Sequence, residues 1–151
     1  MKSVKNLDIY KKAHDLTLSL YKQTKNFPEE EKYGLVSQIR RAAVSINSNL
    51  LEGYHRNGLK EFRQFIGISK GSVGELKYQI ELSKDLKYIN KNYYDKCIKE
   101  LEDLSKMLTG LLKNINSKIK ESSEYRIQNT DNLIDEWKES ILLWKKVAKS
   151  M

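Results

Sequence analysis

Proline is almost missing from this chain: Pro28 is the only one in 151 residues. Proline inside a helix removes a backbone hydrogen bond and clashes with the preceding turn, so its scarcity leaves long stretches free to stay helical. Glycine is sparse as well, with seven residues. Cysteine is represented by Cys97 alone, which excludes an intrachain disulfide and a cysteine-rich metal site. A lone thiol fits a reducing compartment. No run approaches the roughly 18 consecutive apolar residues that a membrane helix needs. The opening MKSVKNLDIYKK lacks the apolar core of a signal peptide. These absences together predict a cytoplasmic protein with no membrane segment.

What is plentiful is Leu, Ile, Lys and Glu, the composition of an all-helical fold. The length suits one domain with a real core and room for an appendage. The formal charge of +8 attracts polyanions, whether nucleic acid or an acidic membrane surface. That charge is unevenly spread. Through Lys120 there are 23 basic and 14 acidic residues, a balance of +9, and beyond it 5 against 6, a balance of −1. Attraction to a polyanion therefore belongs to residues 1–120, and 121–151 read as an interaction element.

Hydrophobic periodicity divides the chain into helices. The first is predicted over 8–25, with Ile9, Ala13, Leu16 and Leu20 as its apolar line. Phe27-Pro28 ends it, because the residue before a proline is pushed out of helical geometry. Glu29, Glu30 and Glu31 belong in the first turn of the next helix, where acids meet its positive dipole end. That second helix, from 29 or 33 to 55, carries Leu35, Ile39, Ala42, Ile46, Asn49 and Gly53 on one seam. Its middle is crowded with small and polar residues, which read as close helix packing, and an Asn on the seam needs partners for its amide.

Asn57-Gly58 marks a turn, and a third helix follows over 59–86. Its seam is Phe62, Ile66, Ser69, Val73, Leu76, Ile80 and Ser83. Gly67, Gly71 and Gly74 lie inside it and are expected to mark a close helix–helix approach. The run GISKGSVG is no phosphate loop, since it lacks the Gly-Lys-Ser/Thr ending and a preceding strand. After a turn at Tyr88-Ile89-Asn90 comes a fourth helix over 92–118, with Cys97, Leu101, Leu104, Leu108, Leu111 and Ile115 in line. Residues 121–130 carry no apolar stripe and read as a linker. A fifth, amphipathic helix is predicted over 132–149, with Ile134, Trp137, Ile141, Trp144 and Ala148 in line. The expected architecture is all-α, an antiparallel up-down four-helix bundle over 1–120 with an additional C-terminal helix after the linker.

No catalytic constellation emerges. His14 and His55 stand on different helices without metal-ligand spacing, and His14 reads as a half-buried helix residue. Ser72 in GSVGE lacks the strand-to-helix turn of a hydrolase elbow, and the Glu-x-x-His signature of di-iron bundles does not occur. No catalytic residue, metal or cofactor is assigned. The basic residues are more informative. Arg40, Arg41, Arg56, Lys60, Arg63 and Lys70 all fall on the second and third helices, around the turn that joins them. Arginine binds phosphate with a bidentate fork, and Tyr54 offers a stacking surface beside it. The competing reading is a solvated face with local pairs, such as Glu52 with Arg56 at i, i+4 or Lys60 with Glu61.

Several of these stretches resemble a known family. SQIRRAAVSINSNLLEG (37–53), preceded by FPEEEKYGL (27–35) and followed by KEF (60–62) and GSVGEL (71–76), is similar to the 23S ribosomal RNA intervening-sequence proteins. LDIYKKAHDLTLSLY (7–21) resembles the first helix of that family. The resemblance covers about residues 5–118. It implies a bacterial up-down helical bundle that assembles as a homo-oligomeric ring, a pentamer, with no enzymatic activity. It also implies a likeness to the accessory protein of diversity-generating retroelements, a basic pentamer that works with a reverse transcriptase and nucleic acid. The chain departs from the family at Leu51, where alanine is usual, and in everything from about residue 121 onward.

Two functions follow as expectations. The favoured one is a non-enzymatic, oligomeric protein that associates with nucleic acid, RNA above all, through Arg40, Arg41, Arg56, Lys60, Arg63 and Lys70. The alternative is an adaptor or scaffold whose C-terminal helix captures a protein partner, a reverse transcriptase among the candidates, through Trp137, Ile141 and Trp144. On the first reading, neutralising Arg56, Lys60 and Arg63 together weakens RNA binding and flattens its salt dependence. A filter-binding titration over a salt series checks this, and a parent protein without salt-dependent affinity ends the hypothesis.

Overall fold

The computed structural model describes Lys5 and residues 7–150, and on the last helix the side chains at 137, 140 and 142–150 lie outside the description. Its described residues form helices α1 (Asp8–Gln23), α2 (Leu35–His55), α3 (Leu59–Asp85) and α4 (Lys91–Ser150), with short 3-10 turns at Thr24–Asn26 and Glu29–Glu31. The chain divides into two compact units, Met1–Ile115 and Asn116–Met151. The first is the expected all-α bundle.

The apolar lines read from periodicity are the ones that go inside. Ile9, Ala13, Leu16 and Leu20 of α1 are buried, as are Ile39, Ala42, Ile46 and Gly53 of α2. In α3 the seam from Ile66 to Ser83 is buried, and in α4 Cys97, Leu101, Leu104, Leu108 and Ile115 are. Leu35, Asn49, Phe62 and Leu111 sit half-buried at the margins. Each fully buried Leu or Ile stabilises the bundle by about 1.5–3 kcal/mol.

Side-chain bonds fix the antiparallel order. Asn47 Nδ2 donates to the Tyr10 carbonyl at 2.9 Å and Thr17 Oγ1 to that of Ala43 at 3.3 Å, so α2 runs back along α1. Ser69 Oγ donates to the Ile46 carbonyl at 2.8 Å and the Ser45 and Ser72 hydroxyls meet at 2.9 Å, so α3 runs back along α2. Lys12 Nζ reaches Asp103 at 3.1 Å while Ser19 Oγ lies 3.0 Å from the Tyr93 hydroxyl, which sets α4 against α1. The Lys12 ammonium, donating its hydrogen bond, holds the Asp103 carboxyl below the usual carboxylate range. That contact therefore stabilises the fold at neutral pH and is lost as acid protonates the carboxylate.

The small residues of α2 do the work expected of them at Gly53. A Cβ there would lie 2.7 Å from Phe65 Cβ and 3.0 Å from Phe62 Cδ2. Asn49 finds partners for its amide, which donates to the Ser45 carbonyl at 2.8 Å and its hydroxyl at 2.9 Å. The glycines of α3 do not behave as expected. Gly67, Gly71 and Gly74 are exposed, and a Cβ on any of them would meet nothing within 4 Å. They lie on the side of α3 opposite its seam.

The helix ends are set by side chains that periodicity does not reveal. Glu29–Glu31 form a separate 3-10 turn instead of opening α2. Glu31 then reaches forward: Oε2 accepts the Leu35 N–H at 3.0 Å and Oε1 the Tyr88 hydroxyl at 3.2 Å. One carboxylate so caps α2 and ties it to the α3–α4 connection. At the end of α3, Lys87 takes a left-handed φ of 62°. The Tyr88 N–H returns to Ser83 and the Lys87 N–H to Lys84, both at 2.9 Å, closing a Schellman motif. Asn90 Oδ1 accepts the Tyr93 N–H at 2.8 Å and caps α4.

The expected linker over 121–130 and the separate fifth helix are corrected: α4 is helical without interruption from Lys91 to Ser150. Residues 121–136 are exposed, so the missing stripe records the absence of a covered side, not of a helix. Ser122, Ser123 and Thr130 bond back to the carbonyls of Lys118, Ile119 and Arg126 at 2.8, 2.9 and 2.8 Å, and no Pro or Gly interrupts the run. The helix backbone passes through 137 and 144, whose tryptophan side chains lie outside the described residues, while Ile141 is half-buried. Among the described residues no helix is long and apolar enough to cross a membrane.

Two glycine substitutions should have opposite signs. Gly53→Ala forces a Cβ against Phe65 and is expected to cost about 1–3 kcal/mol. Gly71→Ala, with open space around it, is expected to gain about 1 kcal/mol of helix propensity. Urea denaturation of both variants checks the pair.

Candidate nucleic-acid interface

The structure separates the six basic residues assigned from sequence into two groups. The three arginines of α2 and its end are engaged. Arg40 is half-buried. Its Nε donates to Thr24 Oγ1 at 3.0 Å, its Nη2 to the Tyr21 carbonyl at 3.3 Å, and its guanidinium lies 4.6 Å from the Tyr21 ring centroid. Tyr21 is in the last turn of α1, where free carbonyls favour a cation. Arg40 thus clamps α2 onto the end of α1. Arg41 points elsewhere: it pairs with Glu75 of α3 and donates to Gln38 Oε1. Arg56 pairs with Glu52 one turn back and lies 5.5 Å from the Phe65 ring centroid.

Lys60, Arg63 and Lys70, all on α3, form the other group. Lys60 and Arg63 are exposed and Lys70 is half-buried. Among the described residues none of the three makes a hydrogen bond, ion pair or ring contact. Lys77, half-buried further along the same helix, is likewise unpaired and was not singled out from sequence. Its seven-residue step from Lys70 and Arg63 is the signal that would have found it.

The turn between α2 and α3 is less basic than its arginines suggest. An open depression of about 490 Å³ there is lined by Glu52, His55, Arg56, Asn57 and Glu61, so two carboxylates share it with one guanidinium. Tyr54 is also occupied, its ring edge-on to Phe62 with centroids 6.4 Å apart. His55 holds Nδ1 2.8 Å from the Leu51 carbonyl oxygen. His14 is exposed, not half-buried, and its ring stacks on Tyr10 at a centroid distance of 6.4 Å. Of the six assigned cations, those without a partner among the described residues are therefore the three on α3.

The remaining reactive groups are quiet. Cys97 is 2% exposed, and burial pushes its thiol up to about 12, so no thiolate forms near neutral pH. Ser72 is buried and shares its hydroxyl bond with Ser45. Among the described residues no three His, Cys, Asp or Glu side chains gather where they could hold a metal ion.

Comparison with known proteins sets this geometry in a family. A solved structure of a protein with unknown function from the S23 ribosomal protein family of Bacteroides thetaiotaomicron superposes with a TM-score of 0.63. It is 22% identical and aligns over 70% of this chain and 98% of its own, a likeness of fold. No curated protein matches the chain. The family model of the 23S rRNA-intervening sequence proteins matches residues 5–110, which takes in α1, α2, α3 and the first turns of α4. The sequence resemblance and the fold agree, and the chain belongs to the 23S rRNA-intervening sequence protein family.

Proposed function

We propose that this chain is a non-enzymatic RNA-associated protein whose contact surface is the cationic side of α3. The observation that carries the reading is the division of the basic residues. Arg40, Arg41 and Arg56 are held by protein groups, while Lys60, Arg63 and Lys70 have none. Cations left unpaired beside paired ones are available to phosphate, and each phosphate neutralised releases condensed counterions. The family's link to 23S rRNA gives RNA the preference over DNA. Self-association into a ring, a pentamer by family resemblance, belongs to the same proposal. It would present several copies of α3 to one RNA and raise avidity without new contacts.

A second reading is favoured by one observation: the distal part of α4 leaves Tyr125, Ile127, Leu133 and Ile134 exposed. These fit an adaptor that captures a protein partner, a reverse transcriptase among them, with Trp137, Ile141 and Trp144 as the expected contacts.

The experiment is a salt-series titration with single-stranded RNA. Lys60→Gln, Arg63→Gln and Lys70→Gln together are expected to weaken binding and to reduce the log–log salt slope by about 2. Arg41→Gln with Arg56→Gln is expected to leave both nearly unchanged. Arg40→Gln should lower stability by about 1.5–3 kcal/mol in urea denaturation while the folded protein keeps its RNA affinity. Deleting residues 121–151 separates the two readings, since the RNA reading expects affinity to survive and the adaptor reading expects a co-purifying protein to be lost.

A further inference from the structure

The outer face of α3 is unusual in what it spends and in what it leaves open. Lys60, Gly67, Gly71, Gly74 and Tyr78 follow one another by steps of seven, four, three and four, a single line on the helix. All five are exposed. From Lys60 to Tyr78 the line is about 27 Å long at the rise of an α-helix. Its glycines have open space where a Cβ would stand, so no packing among the described residues requires them. Each nonetheless weakens the helix relative to alanine. The bare backbone leaves room on this side of α3 for a partner to lie close to the helix.

The charge along the line says what kind of partner that is. Arg63, Lys70 and Lys77 follow one margin of it, and with Lys60 at its start they are unpaired among the described residues. On the other margin lie Gln64, Ile68 and Glu75, and Glu75 is already occupied by Arg41. Beyond Tyr78 the same side carries Glu81 and Asp85, so the cationic run stops there. Tyr78 is 64% exposed and makes no hydrogen bond or ring contact among the described residues. A free aromatic ring at the end of a row of free cations is the pairing used to hold unstacked nucleotides, the cations taking phosphates and the ring a base.

We infer that the outer face of α3 from Lys60 to Tyr78 binds single-stranded RNA, its phosphates on Lys60, Arg63, Lys70 and Lys77 and one base stacked on Tyr78. The inference rests on the RNA reading above and names the form of RNA and the base contact. The bared backbone at Gly67, Gly71 and Gly74 lets the strand lie close to the helix. A duplex satisfies the cations equally well but keeps its bases stacked inside, leaving Tyr78 without a partner.

The test is fluorescence anisotropy on the full chain, using a labelled oligouridylate and an RNA duplex of equal length. Tyr78→Ala is expected to weaken single-strand binding by roughly 5- to 150-fold, with duplex binding unchanged, and Tyr78→Phe to retain it. Gly71→Leu, which places a branched side chain in the path of the strand, is expected to weaken single-strand binding while the circular-dichroism melt stays at or above that of the parent. Should Tyr78→Ala and Gly71→Leu bind the single strand as the parent does, the inference fails. The RNA reading then survives if the Lys60, Arg63 and Lys70 variant still loses affinity. A parent protein that binds neither RNA overturns both. If sedimentation shows either substitution dissociating an oligomer while RNA affinity is unchanged, the face is a contact between copies and the inference is wrong.

Discussion

The close approach of α2 to α3 is the constraint on which the rest of the bundle depends. At Gly53 the α2 backbone comes so near Phe62 and Phe65 that a methyl group would not fit. Further along, Ala42 and Ala43 are fully covered, the Ser69 hydroxyl bonds the Ile46 carbonyl, and Ser45 meets Ser72. Small side chains bring the helices together, and hydroxyls at that short range satisfy one another and the backbone instead of being stranded in the core. Once the pair is seated, the direction of every other side chain on the two helices follows.

That seating decides the fate of the arginines. Arg40 and Arg41 are neighbours in sequence, yet a step of one residue turns a helix by about 100°. One therefore meets the end of α1 and the other meets Glu75 of α3. What reads as a doublet is two separate attachments on either side of α2. Exposed ion pairs contribute little stability each. Their consequence here is positional, because a guanidinium held by a carboxylate is no longer free for a phosphate. Lys60, Arg63, Lys70 and Lys77 of α3 have no such carboxylate opposite them among the described residues, whereas Lys84 is held by Asp85.

The long α4 shows where periodicity misleads. Through Ile115 a stripe of Leu and Ile records burial against the bundle. Past that point the stripe lapses over 121–130, although the helix does not. An apolar stripe is evidence that one side is covered, and a helix with no covered side has no reason to display it. Ser and Thr bonding back to carbonyls, the Lys120–Glu124 pair and the lack of any breaker residue keep the backbone helical there.

By itself the sequence determined the all-α class, the order of the first four helices, their seams and the family, because burial writes a periodic pattern that needs no coordinates to read. It also determined that charge belongs to the first 120 residues and that the α2–α3 turn falls at Asn57-Gly58. Tertiary structure alone decided which of six cations are spoken for, that Glu31 caps α2 while reaching Tyr88, and that Gly53 packs while Gly67, Gly71 and Gly74 face outward. The physical reason is the same in each case. Residue type and spacing specify what a side chain offers and which side of its helix it leaves from, but a partner is supplied by whatever element lies opposite, and that is known only once the helices are packed.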